Sequence, residues 1–302
     1  MHFSRMKTSD KVSEIVIMFI LLLVTVITLY PFLNVLAIAF NESRDTLRGG
    51  ITIYPRVFTI ANFKSVLSLP TMVTGFINSL LRTVIGTVLS VLLTSMVAFT
   101  LSQKHFVARK LFNILLVITM YVSGGLIPSY LLMRNLHLFN NFLVYILPGL
   151  VWAWCVFINR SFIETLPYSM QESALIDGAN ELQVYGRIIL PLSLPSLATI
   201  ALYYAVGQWN SWFDTYLYCS SVPGLTTLQY ELQKVLASAQ GAMIAAQSGN
   251  NTALINVAKN GYVSPTSVQM AITIVVVVPI ILVYPFLQRF FISGMTLGAV
   301  KG

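Results

Sequence analysis

The stretch L-P-Y-S-M-Q-E-S-A-L-I-D-G-A-N-E-L-Q-V-Y-G-R-I-I-L-P, residues 166–191, carries Glu172, Asp177 and Glu181. With Glu164 just ahead of it, one connector holds four of the chain's ten acidic residues. Ser169 and Glu172 have the S-x-x-E spacing of a capping box, in which hydroxyl and carboxylate each serve an exposed backbone N–H. Gly178 supplies a left-handed stop, and Asn180 with Gln183 repeats the capping pattern. Pro191 is expected to block continuation into the apolar run that follows. The segment therefore predicts two short helices joined by a tight turn, with Ala174, Leu175, Ile176 and Ala179 forming an apolar surface beside Glu172 and Asp177. Two readings fit these residues alone. One is a self-contained cap in which Glu172 only satisfies a helix end; the other is a docking surface, since a solvated loop needs no apolar patch among charges.

Outward from this connector the chain is almost free of charge. Residues 138–159 and 188–213 flank it, and 15–40, 83–103, 111–133 and 260–288 complete a set of six runs without Asp, Glu, Lys, Arg or His. Each is long enough for a helix across a hydrocarbon layer of ~30 Å, which needs about 20 residues. Composition agrees: 56% of the 302 residues are hydrophobic and 9% charged, with a mean hydropathy of +0.78, against roughly 25% charged residues in soluble domains. The expected fold is an all-α integral membrane protein with six transmembrane helices. Residues 1–14 read as an N-terminal arm and 15–302 as one six-span domain. The first run, with Pro31 and Asn34 inside it, is too long for the apolar core of a cleavable signal peptide and reads as a retained span.

Other chemistries find little support. Cys155 and Cys219 lie in separate apolar segments without metal-site or redox spacing. His2, His105 and His137 are scattered, so no metal site is expected. The net charge of +8 comes mainly from Lys and Arg at the ends of apolar runs, which suits membrane lipid headgroups rather than nucleic acid. Six spans put both termini on one side. Clusters at Arg5, Lys7 and Lys11 and at Lys104, Arg109 and Lys110 make that side cytoplasmic.

Packing signals lie within the runs. Gly86, Ser90, Thr94 and Ala98 recur every four residues, a small-residue face that admits a close neighbour. Gly124-Gly125 with Pro128 is expected to bend the third span at a bundle interior or cavity wall. The fifth span carries Tyr203, Tyr204, Gln208, Trp209, Asn210 and Trp212. An interfacial aromatic belt accounts for the rings; Tyr204, Gln208 and Asn210 are the candidates for lining a pathway. Asp214 reads as a solvated helix-end carboxylate. Connector five, residues 220–265, is far longer than ordinary connections; Leu228 to Ala246 is helix-permissive, and a disordered spacer is the alternative. No Lys follows a Gly, so a P-loop is absent, and the runs lack the acidic residues of proton relays. An ion-coupled carrier and a non-transporting scaffold are the rival classes.

Glu172, Ser173 and Ala174, then Gly178, then Ile188-x-Leu190-Pro191 resemble the "EAA loop" of ABC-importer permease subunits, with Ser173 in place of the usual first alanine. The surrounding L-I-D-G-A-N and the terminal G-M-T-L-G-A-V-K-G, Gly294 to Gly302, look like the carbohydrate-importing branch, in particular the second permease of maltose-transporter-like pairs. The resemblance implies a type I ABC importer permease bundle for the import of carbohydrate, as oligosaccharide. It further implies that Glu172, Ser173, Ala174, Asp177, Gly178 and Ala179 contact an ATPase. Gly294, Thr296, Gly298 and Lys301 of the cytoplasmic tail, 289–302, would make further contacts. The implied partners are a second homologous permease, two ATPase subunits and an extracytoplasmic solute-binding protein that meets residues 220–265. Under this resemblance the chain is no enzyme and has no cofactor of its own, ATP and Mg being bound by the ATPase, and it sits in the bacterial cell membrane.

Overall fold

The computed structural model describes residues 8–247 and 264–299. The helices in chain order are α1 (Thr8–Ala39), α2 (Ser43–Thr46), α3 (Ala61–Leu67), α4 (Pro70–Ser102), α5 (Arg109–Tyr121), α6 (Leu126–Asn135) and α7 (Ala153–Ile163). They continue with α8 (Tyr168–Ile176), α9 (Glu181–Val184), α10 (Leu190–Leu192), α11 (Leu194–Asn210), α12 (Leu228–Gln247) and α13 (Pro265–Ala299). Three stretches are long and apolar enough to cross a bilayer unbroken: Val12–Ala39, Pro70–Ser102 and Thr266–Val283. Three bent pairs bring the number to six: α5 with α6 at 118°, Phe142–Gly149 with α7 at 50°, and Glu181–Leu192 with α11 at 81°. Each overlaps one charge-free run, and Pro70–Ser102 extends past its run to take in Arg82.

The chain divides into two units, residues 1–69 with 234–277 and residues 70–233 with 278–302. In the first unit α1 passes through Pro31 without breaking, and its apolar side chains from Val12 to Phe32 are mostly exposed, as lipid contact requires. Beyond it a compact polar knot forms. Asn62 donates to the carbonyls of Ala39 and Asn41 at 2.8 Å each. Asn41 donates to Asp45 Oδ2 at 3.0 Å, and Arg56 Nε donates to the same oxygen at 2.9 Å. Phe40 stacks on Phe58 with ring centroids 5.4 Å apart. Burial leaves these amides nowhere else to bond, so each one fixes a turn.

In the second unit α4 is the central post, packed against α7 and α11. Ser90, Thr94 and Ala98 of its small-residue face are fully buried, and a Cβ on Gly86 would stand 2.8 Å from Gln208 Nε2. The stripe is thus the contact that lets the helices meet. The glycine bend also occurs, with Gly125 at φ +85°. In this chain, however, Tyr121, Val122, Leu126 and Ile127 are exposed around it, so the bend faces outward and not into the chain's own interior. The expected stop at Pro191 needs correction as well. Leu190 N–H donates to Tyr185 O across a π turn, Tyr185–Ile189, and helix continues through Pro191 to Leu192. The wide turn slips the register by one residue, so a residue with no N–H to give is accommodated. The break falls instead at Ser193, with Pro195 in the first turn of α11.

Candidate functional site

The connector between the fourth and fifth spans folds as a helix pair. α8 runs Tyr168–Ile176, and Gly178 at φ +86° ends it. Gly178 N–H donates to Leu175 O at 3.1 Å and Ala179 N–H to Ala174 O at 2.9 Å. This is the paired bonding of a Schellman stop, which requires a left-handed residue at the glycine. Asn180 and Gln183 then form a complete capping box at the start of α9, with bonds of 2.8 and 2.9 Å. The first box is absent. Helix has already begun at Tyr168 after Pro167, whose fixed φ starts the turn, so Ser169 sits inside the helix and its carbonyl accepts from Ser173 Oγ at 2.9 Å.

One face of the pair is anchored. Gln171 is buried and accepts from Gln103 Nε2 at 3.0 Å, which joins α8 to the end of α4. Ala174, Leu175 and Ala179 pack on a cluster of Phe99, Val184, Tyr185 and Ile189. They therefore face inward, and the apolar surface expected from the sequence is divided. The outward side carries Glu172, Ser173, Ile176 and Asp177, with Ile176 80% exposed and Leu182 of α9 70% exposed. The outward side is therefore an exposed apolar tip flanked by two carboxylates.

Of the pathway candidates, Tyr204 and Gln208 are buried with their polar atoms engaged. Tyr204 OH is 2.7 Å from Thr94 Oγ1 and accepts from Trp152 N–H at 2.8 Å. Gln208 accepts from Arg82 Nε at 3.1 Å and donates to Tyr145 O at 3.2 Å. They tie helices together in this chain, and Asn210 alone of the three is exposed. Asp214 is no solvated carboxylate: it pairs with Arg82, itself 2% exposed. The signal for that pair was available in a lone Arg and a lone Asp bordering charge-free runs. The Gln103–Gln171 bond, 68 positions apart, left none. Gly294, Thr296 and Gly298 fall in the helical stretch of α13, and Lys301 lies outside the described residues. Residues 228–247 of connector five form α12, as the helix-permissive pattern predicts, and 248–263 lie outside the described residues. Among the described residues no group of three or more His, Cys, Asp or Glu side chains gathers to hold a metal.

A family model described as binding-protein-dependent transport system inner membrane component matches residues 90–297. The polygalacturonan/rhamnogalacturonan transport system permease protein YtcP of Bacillus subtilis is 31% identical over 97% of this chain and 99% of its own length. The arabinooligosaccharides transport system permease protein AraQ of Halalkalibacterium halodurans is 30% identical over 91% of this chain and 92% of its own. A chain of a crystallised bacterial ABC transporter involved in the import of the acidic polysaccharide alginate superposes with a TM-score of 0.82. It is 26% identical, and the match covers 95% of this chain and 99% of that one. Helix pair, six-span layout and full-length similarity agree: the chain belongs to the family of binding-protein-dependent transport system inner membrane components, and it is the permease subunit of an ATP-driven importer.

Proposed function

We propose that this permease forms half of the translocation pathway for a carbohydrate, taken up as an oligosaccharide, and that an ATPase subunit drives it through α8 and α9. The observation that carries the reading is the two-sided construction of that helix pair. Its inner side is locked to α4 through Gln171 and Gln103, while its outer side offers Glu172, Ile176 and Asp177. A push on the outer side is transmitted to the central post of the bundle. The substrate class is supported by the relatives, which are named as transporters of polygalacturonan, rhamnogalacturonan and arabinooligosaccharides.

The remaining partners follow from the same reading. A second permease would cover the outward-facing break between α5 and α6, because non-helical backbone at membrane depth is tolerated only against protein or water. ATP and Mg belong to two ATPase subunits, this chain having no P-loop. A solute-binding protein would meet α12 and the residues after it on the extracytoplasmic side, with both termini in the cytoplasm. Asn210 is the exposed polar residue proposed for the pathway. Purifying a tagged chain from its host and reconstituting what comes with it tests the proposal. Uptake of oligogalacturonides that needs ATP and a co-isolated ATPase is the expected result; uptake by the lone chain under a proton gradient would overturn it.

A further inference from the structure

The fifth span does not end cleanly. α11 stops at Asn210, Ser211 and Trp212 are non-helical, and a short helical stretch resumes at Phe213 and runs on as a π turn, Thr215–Cys219. Asn210 is exposed, and both it and the break lie inside the charge-free run 188–213. Hydrocarbon tolerates neither an exposed amide nor non-helical backbone, so this end of the span faces water or protein instead of acyl chains.

Four aromatic rings gather at the break. Trp212 meets Phe213 edge-on with centroids 5.6 Å apart. Tyr216 lies 6.4 Å from Trp212, 6.1 Å from Phe213 and 6.3 Å from Tyr230 of α12. Phe213 and Tyr216 are 43% and 54% exposed. The two residues between them are engaged inward: Asp214 pairs with buried Arg82, and Thr215, fully buried, shares a hydrogen bond of 2.9 Å with Thr227. Inward anchors thus hold two outward rings at helical spacing, so little order remains to be gained when something binds them. Because Arg82 neutralises Asp214, residues 210–216 offer ring faces and no net charge.

We infer that this cluster is a saccharide subsite at the outer mouth of the pathway, where sugar rings stack on Phe213 and Tyr216. The inference rests on the carbohydrate reading of the permease. The C–H face of a sugar ring suits the negative face of an aromatic ring, and a contact made by ring faces alone lets the sugar slide onward. The place in the fold agrees. The cluster lies at the end of α11 remote from the coupling helices, about 25 Å along a helix of 17 residues. Tyr230 ties it to α12, the helix proposed to meet the solute-binding protein. A saccharide released there meets these rings on entering the span.

The test uses the whole transporter in proteoliposomes, its solute-binding protein loaded with an oligogalacturonide, with saccharide uptake and ATP hydrolysis measured together. Tyr216→Leu keeps an apolar side chain and removes the ring. It should cut the saccharide carried per ATP hydrolysed about fivefold, with thermal stability unchanged. Tyr216→Phe keeps the ring and should restore the ratio lost in Tyr216→Leu. Tyr30→Leu, which removes an exposed ring of α1, should leave the ratio as in wild type. A wild type that carries no saccharide would overturn the carbohydrate reading and the subsite with it, whereas an unchanged ratio in Tyr216→Leu beside an active wild type would overturn the subsite alone. An equal fall in Tyr30→Leu would assign the rings to lipid contact, and loss of the second permease from purified Tyr216→Leu would assign them to a subunit interface; either result removes the subsite.

Discussion

The guanidinium of Arg82 and the carboxylate of Asp214 meet face to face, Nη1 3.1 Å from Oδ1 and Nη2 2.5 Å from Oδ2. The same guanidinium donates from Nε to Gln208 and from Nη1 to Ser211 O at 3.3 Å, and lies 4.6 Å from the centroid of the Tyr145 ring. α11 ends at Asn210 and Ser211 is extended, so one side chain of α4 engages residues on both sides of that break. A helix end leaves carbonyls without partners, and here a buried cation takes one of them.

Removing Arg82 should therefore cost more than a surface charge. Arg82→Ala leaves Asp214, whose side chain is 20% exposed, without its counter-charge and lets the end of α11 drift from α4. The expected loss is about 3–5 kcal/mol, the usual cost of breaking a buried pair on one side. Thermal unfolding of the detergent-solubilised complex measures it. Replacing both partners, Arg82→Met with Asp214→Leu, should restore much of that loss; a double variant as unstable as Arg82→Ala would refute the pairing.

Gly86 sits where that network meets the small-residue face. A Cβ placed there would be 2.8 Å from Gln208 Nε2 and 3.0 Å from Gln208 Cδ. Gln208 cannot simply swing away, since it holds both Arg82 and Tyr145 O. Gly86→Val should destabilise by about 1–3 kcal/mol through overpacking, whereas Gly207→Ala, with nothing within 4 Å of its Cβ, should cost far less at its own helix position. Equal unfolding temperatures for the two variants would count against the close approach.

These sites also mark where sequence reasoning stops. The six spans were legible because hydrocarbon imposes a long, contiguous requirement on composition, and Gly178 and Asn180 because turns and caps are set by neighbours within four residues. Ser169 misled for a local reason: Pro167 begins the helix earlier than the capping pattern implies. Asp214 misled for a tertiary one, and Tyr204 and Gln208 were ambiguous for the same reason. A polar side chain in an apolar run has the same spacing whether it faces a pathway or bonds to a helix more than a hundred residues away, and only the partner, Thr94 or Arg82, decides between them.

The polar knot after α1 makes the first connector sensitive to acid. The hydrogen bond from Asn41, aided by Arg56, holds Asp45 below its usual value of 3.8 against the opposing effect of desolvation. A carboxylate with a depressed value stabilises the folded form above its unfolded pKa, and that contribution fades as pH falls through the folded value. Hydrogen exchange at Val57 and Thr59, whose N–H groups bond to Asn41 Oδ1 and Phe40 O, should report it. Protection is expected to hold near neutral pH and to drop below about pH 4, and Asp45→Asn should show the lower protection at every pH. A wild-type profile without that acid step would contradict the assignment.

Transmission through α8 depends on its exposed side. Glu172 is exposed, no side chain of the anchored face depends on it, and the Schellman stop at Gly178 and the capping box at Asn180 hold the helix pair without it. Glu172→Ala should therefore leave insertion, thermal stability and assembly of the two permeases unchanged. A charge-assisted hydrogen bond to the ATPase is worth about 1.5–3 kcal/mol, so its loss should weaken ATPase association by roughly tenfold to a hundredfold and abolish sugar-stimulated ATP hydrolysis. Ile176→Ala, removing the exposed apolar tip, should act in the same direction. Gln171→Ala separates anchoring from docking: it should leave the ATPase bound while its hydrolysis no longer drives uptake, because α8 has lost its bond to α4. Retained stimulation in Glu172→Ala, or loss of ATPase binding in Gln171→Ala alone, would mean that force enters the bundle by another route.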